Sequence, residues 1–241
     1  MNERSNSEFN ERIDLTYAEF DRDFNADNFP AVFKWIEEFN AAGKYGKSGH
    51  PLLLSPPPIF QTPVYENPKL MVVADKNSWF DRKNSQRAER NLRELAGRKP
   101  TENSYTEHDS EFGRKLRKVF GPDNGNFIGV GKLSALSRCV GINRLWIQVG
   151  AEDKPGAVTK DIENASKERS LILGESFKDY CESRTRSLIQ VIQPEILALV
   201  GSKAQRLYAK VDMPEGIKVI DAPYPSRGGE QKMADTLRDY F

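Results

Sequence analysis

Four polar segments of this sequence each follow a short apolar run, and they hold the residues best suited to chemistry. They are ADKNSWF (74–80), QVGAED (148–153), GSKAQR (201–206) and DAPYPSRGG (221–229). Asp75 and Asp221 stand at the ends of such runs, where a carboxylate could act as a general base that activates water. An Asp at the end of a strand can also cap a turn or a helix, so both roles stay open.

The residues after Asp75 favour recognition of an aromatic or anionic ligand. Lys76 could hold a phosphate or pair with a carboxylate, or it could be a solvated surface charge. Asn77 and Ser78 could offer side-chain hydrogen bonds or begin a turn. Trp79 and Phe80 could stack on a base or pack beneath the loop.

The last two segments, and two basic residues that follow the first segment, add candidates for contacts with phosphate. Gly201-Ser202 opens a predicted helix, where it could bind an anion or cap the helix through Ser202. Contacts with phosphate position a protein on nucleic acid without reading its sequence. The candidate residues, each of which could equally be a solvated charge, are Arg82, Lys83, Lys203, Arg206 and Arg227.

Alternating strands and helices must position these segments. Short apolar runs predict four buried strands: KLMVVAD, RLWIQVG, ILALVG and IKVID. Helices are predicted around 84–96, 108–120, 131–140 and 175–192, from Ser202 onward, and over 229–241. This alternation predicts an α/β three-layer sandwich with a mainly parallel four-stranded central sheet. Ligands bind outside the carboxyl ends of such strands, where the four polar segments lie.

Composition favours one domain and limits the partners. The length of 241 residues suits a polar N-terminal arm, 1–28, and a single α/β domain, 29–241. The net charge is only +1, so a nucleic-acid partner needs a local basic face. Because no apolar run approaches the ~18 residues of a membrane span and the N-terminus lacks an apolar signal segment, we expect a cytoplasmic protein without a membrane partner.

Metal, cofactor and triad chemistry find little support. Cys139 and Cys181 fall in apolar patterns that favour buried thiols, and two cysteines with His50 and His108 make a zinc site improbable. GKYGKS lacks the glycine spacing of a phosphate loop. GVGKLS lacks the third glycine of a dinucleotide-binding fingerprint. Neither histidine lies at the predicted edge, which argues against a Ser-His-Asp triad. We therefore expect no metal and no cofactor.

In their order along the chain, the four segments resemble the uracil-DNA glycosylase superfamily over roughly residues 60–240. ALVGSKA is similar to the family's apolar run followed by Gly-x-x-Ala. VIDAPYPSR lies where the family has a strand leading to His-Pro-Ser and a loop that enters DNA. VVADKNSWF takes the place of the family's Gly-x-Asn/Asp-Pro motif, which supplies the water-activating residue. The resemblance implies the family's fold, a DNA partner and excision of a base.

The sequence departs from the family at three functional positions. Lys76 stands where the family has the catalytic Asn or Asp, and Asp75 is one position away. A protonated lysine cannot be a base, so Lys76 would need a depressed pKa or would act as a nucleophile that forms an imine. Gln148 stands near the family's base-reading Asn, and Tyr224 replaces the His that stabilises the leaving base.

Two principal hypotheses follow. The first is a monomeric DNA glycosylase-like protein that binds a flipped base and hydrolyses its bond to the sugar. The second is a catalytically inactive nucleic-acid or nucleotide binding protein on the same fold; a different hydrolase on a related sheet is a third. For the first, the catalytic residues are Asp75, Lys76 and Tyr224, the base pocket is Asn77, Trp79, Phe80 and Gln148, and DNA contacts come from Ser202, Lys203, Ser226 and Arg227.

Overall fold

The structure, a computed structural model, describes residues 3–41, 64, 66–78, 119, 139–149, 157–208, 213–225 and 229–240. Its helices are α1 (Glu3–Asp23), α2 (Pro30–Ala41), α3 (Ala157–Ala165), α4 (Phe177–Ile192), α5 (Ser202–Tyr208) and α6 (Gly229–Arg238). Its strands are β1 (Leu70–Ser78), β2 (Cys139–Val149), β3 (Ile196–Val200) and β4 (Lys218–Ala222). In this part of the chain no helix is long and apolar enough to cross a bilayer.

The strands form one sheet in the order β2-β1-β3-β4. β1 and β3 pair in parallel, with Leu70 opposite Ile196, and β3 and β4 pair in parallel, with Ile196 opposite Lys218. All five residues of β3 are buried, as expected of an interior strand in a parallel sheet. The predicted α/β class and the mainly parallel four-stranded sheet are confirmed.

Two predicted boundaries are wrong. β1 continues to Ser78, so Lys76, Asn77 and Ser78 lie within the strand and not in the loop predicted after it. Cys139 and Val140, predicted at the end of a helix, begin β2, because a short apolar run alone does not distinguish a buried strand from a helix. The predicted helix at 84–96 lies outside the described residues, as does 108–120 except for the helical, buried Val119.

The segment predicted as a polar arm contains the longest described helix. In α1 the residues Phe9, Ile13 and Phe20 are buried, a spacing that places them on one helical face. Only about one residue per turn is apolar, so the stripe is too narrow to stand out from its polar surroundings. α1 ends at Asp23, and a turn leads from there to Pro30, where α2 begins. The Asn25 side-chain oxygen stabilises this turn by accepting the Asn28 N–H at 2.9 Å.

The chain divides into two compact units that interleave along the sequence. The first includes α1, α2, α3, β1 from Lys76, β2 from Leu145 and α4 as far as Leu188. The second includes β1 as far as Asp75, β2 as far as Arg144, α4 from Ile189, β3, α5, β4 and α6.

An aromatic cluster forms the core of the first unit. Ring centroids lie 5.0–6.3 Å apart in pairs that run from α1 through the turn before α2 to α4, within the range of favourable aromatic contacts. The Trp146 indole N–H donates to the Thr185 hydroxyl at 3.1 Å, so the largest buried side chain keeps its polar atom paired. The cluster comprises Phe20, Phe24, Phe29, Phe33, Trp146, Phe177 and Tyr180.

A buried carboxylate joins α1 to α4 at the edge of this cluster. Asp23 accepts a hydrogen bond from Arg22 Nε at 2.8 Å and another from the Tyr180 hydroxyl at 3.1 Å. The Arg184 guanidinium lies 3.7 Å from the centroid of the Tyr180 ring. The hydrogen bond from Arg22 lowers the pKa of Asp23 despite its burial, and Tyr180 and Arg184 act in the same direction. Burial raises the pKa of Tyr180, so its hydroxyl remains protonated and continues to donate.

The lowered pKa of Asp23 predicts an acid-dependent contribution to stability. Because the pKa is depressed in the folded state, the contribution is complete above the unfolded carboxyl pKa of about 4 and is lost as pH falls through the folded value. The difference in unfolding free energy between the wild type and Asp23→Asn should therefore be constant from about pH 7 to 5 and shrink below about pH 4. Urea denaturation at each pH measures it.

Asp27→Asn is the matched control, because Asp27 is an exposed carboxylate four residues away in the same turn. A difference for Asp23→Asn that does not change with pH would contradict the assignment.

Candidate functional site

The carboxyl ends of β3 and β4 lie side by side in the second unit, and hydrogen bonds join the turn after β3 to the end of β4. β3 ends at Val200, which is paired with Ala222, the last residue of β4. Gly201 then turns the chain with φ +85°, a conformation that residues with a side chain rarely adopt. Its N–H donates to the Ala222 carbonyl at 3.0 Å, so the backbone at the end of β3 is tied directly to the end of β4.

The strand order marks the place where a ligand is expected. Among the described strands, β1 and β3 are neighbours in the middle of the sheet. The next strand in sequence after β1, which is β2, lies on one side of this pair, and the next strand after β3, which is β4, lies on the other side. Where neighbouring parallel strands lead in opposite directions, a crevice lies outside their carboxyl ends. Val73 is opposite Leu199, one residue before the end of β3. The switch point of the sheet therefore lies between β1 and β3.

The segment after β4 presents a tyrosine beside Gly201. Tyr224 is 41% exposed, whereas Pro225 after it is buried. A Cβ added to Gly201 would lie 3.8 Å from the Tyr224 Cβ, in ordinary contact. A Cβ added to Gly229, the first residue of α6, would clash with the Tyr224 carbonyl oxygen. Gly201 thus lies beside the Tyr224 side chain and Gly229 beside its backbone carbonyl, while the residue remains partly exposed.

Helix α5 brings polar residues to the same end of the sheet. Ser202 and Arg206 are exposed and Lys203 is half-buried, and Arg206 Nε donates to the Ser202 carbonyl at 3.0 Å. The Gly201 carbonyl accepts the Gln205 N–H at 3.1 Å. The accepting residue is the helix cap, so the prediction that Ser202 caps this helix is wrong, and Ser202 is the first helical residue.

Sequence reasoning missed Gln205. Its side-chain amide donates to the carbonyls of Leu199 and Ala222 at 3.3 and 3.1 Å, and so connects the ends of two strands. A single Gln inside a helical pattern carries no signal for such a contact. Only its position four residues after Gly201, on the face of the helix that meets the strand ends, would have marked it.

The other predicted site residues are described to different degrees. For Asp75, Lys76 and Asn77 in β1, and Gln148 in β2, the structure places the backbone in a strand, and their side chains lie outside what is described. Trp79, Phe80, Ser226 and Arg227 lie outside the described residues, as do the further phosphate candidates Arg82 and Lys83. The two histidines, His50 and His108, also lie outside them. Asp221 is exposed within β4.

The described side chains favour binding chemistry at this edge. Tyr224 offers an aromatic face and a hydroxyl, and Lys203 and Arg206 are cationic. Both cysteines are buried thiols, as predicted. Burial raises the pKa of Cys139 to about 12, so its thiol is not a nucleophile at neutral pH. Within the described residues, no group of three or more His, Cys, Asp or Glu is arranged to hold a metal ion.

No protein-family model matches this sequence, and no curated protein matches it either. The case for a function therefore depends on the geometry of the switch point and on the residues it brings together.

The close approach of Gly229 to the Tyr224 carbonyl predicts the effect of a single methyl group. In Gly229→Ala the new Cβ meets a backbone atom that cannot rotate away, so the turn must shift. Overpacking of this kind costs about 1–3 kcal/mol in unfolding free energy. Chemical denaturation measures this cost. Glu230→Ala, the next residue of α6, serves as control, with an expected change below about 1 kcal/mol. A Gly229→Ala variant as stable as the wild type would contradict the described turn.

Proposed function

We propose that this chain is a uracil-DNA-glycosylase-like protein that recognises DNA and holds a flipped base at the carboxyl edge of its sheet. The observation that carries the proposal is the exposed Tyr224, held beside Gly201 at the switch point between β1 and β3. A flipped base needs a pocket that offers stacking and hydrogen bonds at one place. The finer assignment of a three-layer glycosylase-like fold belongs to the same proposal.

Tyr224 serves both requirements. Stacking on an aromatic side chain contributes about 1–3 kcal/mol per base and tolerates any base. The hydroxyl can in addition donate to a carbonyl oxygen of the base. Lys203 and Arg206, on the helix that follows Gly201, are suited to the phosphates on either side of the flipped nucleotide, which fix the register without reading sequence.

Hydrolysis of the base–sugar bond is the catalytic part of the proposal. Asp75 takes a proton from water, the water oxygen attacks C1′ of the sugar, and the bond from C1′ to the base nitrogen breaks with its electron pair leaving on the base. Negative charge then develops on a carbonyl oxygen of the leaving base, where a hydrogen bond from Tyr224 stabilises it. The position of Asp75 on β1, two residues beyond the Val73 that pairs with Leu199 near the end of β3, supports this pairing of roles.

A non-catalytic binding protein on the same fold is the second candidate. It is favoured by the lysine at 76 and the tyrosine at 224, where the resembling family has a carboxylate or amide and a histidine. In this case the same edge binds a base or nucleotide and leaves it intact. On this second candidate, the ligand of the edge can be a free nucleotide, whose base binds in the same way as a base of DNA.

Removal of the Tyr224 ring should weaken DNA binding. We expect Tyr224→Ala to lower the affinity for a labelled oligonucleotide with one unpaired base by about 5- to 150-fold, which corresponds to about 1–3 kcal/mol. Tyr224→Phe keeps the ring and most of the affinity. Tyr240→Ala is the control, because Tyr240 is a half-buried ring of the same unit that contacts Lys218 at 4.2 Å, away from Gly201.

Salt dependence separates the phosphate contacts from the base contact. The affinity should fall steeply as salt rises, and Lys203→Ala with Arg206→Ala should reduce the logarithmic slope by about 2, one for each cation. Fluorescence anisotropy at several salt concentrations measures both. No binding of either single- or double-stranded DNA at low salt would reject the DNA proposal.

Catalysis is tested by cleavage at abasic sites in duplexes that carry uracil, hypoxanthine, xanthine or a thymine mismatch. We expect product with one of these substrates, and we expect Asp75→Ala to abolish it while leaving DNA affinity within about threefold. Asp221→Ala, an exposed carboxylate on β4, is the control. Binding without product on any duplex would exclude this hydrolysis and favour the second candidate.

A further inference from the structure

The side chain of Gln205 holds two strand ends together at the place where the Tyr224 segment leaves the sheet. Its single amide nitrogen donates to the Leu199 carbonyl of β3 at 3.3 Å and to the Ala222 carbonyl of β4 at 3.1 Å. A primary amide has two N–H groups, so this nitrogen uses both of its donors on strands that are neighbours in the sheet.

The Ala222 carbonyl is a backbone anchor two residues before Tyr224. It accepts from Gln205 and also from the Gly201 N–H at 3.0 Å, so both of its lone pairs are occupied. The next residue, Pro223, has no N–H, and neither has Pro225. Two of the three residues that follow Ala222 therefore cannot donate a backbone hydrogen bond that would hold the segment in place.

Gly201 and Gly229 make room for the Tyr224 segment. Gly201 places no side chain against the Tyr224 ring, and Gly229 leaves room for the Tyr224 carbonyl. These contacts limit where the segment can go. The hydrogen bonds to the Ala222 carbonyl fix the point from which the segment starts, and Gln205 donates one of them from its side chain.

We propose that Gln205 is a positioning residue, which fixes the direction in which the Tyr224 segment leaves β4 and thereby places the ring for the base. This inference rests on the proposed function for its consequence in DNA binding, whereas the placement of Tyr224 is a property of the free protein. The two parts can therefore fail separately. A role in overall stability alone would weaken the fold without a specific effect on Tyr224.

The free protein tests the placement. Gln205→Met keeps the length and volume of the side chain and removes both donors, and Gln205→Lys restores donors on a different head group. With 3-fluorotyrosine at all eight tyrosines and Tyr224 assigned from Tyr224→Phe, we expect the ¹⁹F resonance of Tyr224 alone to shift or broaden in Gln205→Met. In Gln205→Lys it should return toward the wild-type position. A Tyr224 resonance that stays unchanged in Gln205→Met would overturn the proposal, as would equal changes at all eight tyrosines.

A double-mutant cycle tests the consequence for DNA. Gln205→Met should lower affinity several-fold when Tyr224 is present and have no further effect in the Tyr224→Ala background, because both changes remove the same placed ring. Additive losses would overturn the positioning role. If the wild type binds no DNA, the proposed function fails, while the fluorine experiment still decides whether Gln205 places Tyr224.

Discussion

The pairing of β3 with a strand on each side is the constraint on which the rest of the second unit depends. Every residue of Ile196–Val200 is buried, and buried backbone N–H and C=O groups need partners, which β1 and β4 supply in parallel register. This pairing ends at Val200 and Ala222, so the strand ends fix where the chain leaves the sheet. The turn at Gly201 follows from that end point because the Gly201 N–H donates to the Ala222 carbonyl, and the exposed Tyr224 lies beside Gly201.

The interior strands and the helices that flank them could be predicted from sequence, and the reason is local. The run ILALV lies between Pro194 and Gly201, two residues that interrupt regular structure, so its type and both of its ends were predictable. The end of β1 was not, because Lys76, Asn77 and Ser78 are polar and polarity suggested a loop, although a strand near the edge of a sheet can carry polar residues. The helical α1 was missed for a related reason, since its apolar stripe is one residue wide per turn.

The candidate site was predictable as a location and only partly as a set of residues. The rule that ligands bind at the carboxyl ends of parallel strands pointed to Tyr224 and to the start of α5, and the structure places these two side by side. Gln205 could not be found in this way, because its two acceptors belong to strands six residues before it and 17 residues after it in the chain. In the first unit, Asp23 and Tyr180 meet across 157 residues, a contact that no local pattern contains.

The central claim is that a base binds against Tyr224 at the switch point of the sheet. Photo-crosslinking with an oligonucleotide that carries 5-iodouracil at the unpaired position, followed by peptide mass spectrometry, tests it most directly, since the halogenated base couples to an aromatic ring in contact with it. The account predicts a crosslink to the peptide that contains Tyr224, lost in Tyr224→Ala. A crosslink confined to peptides of the first unit, such as those of α1 or α4 before Leu188, would contradict it.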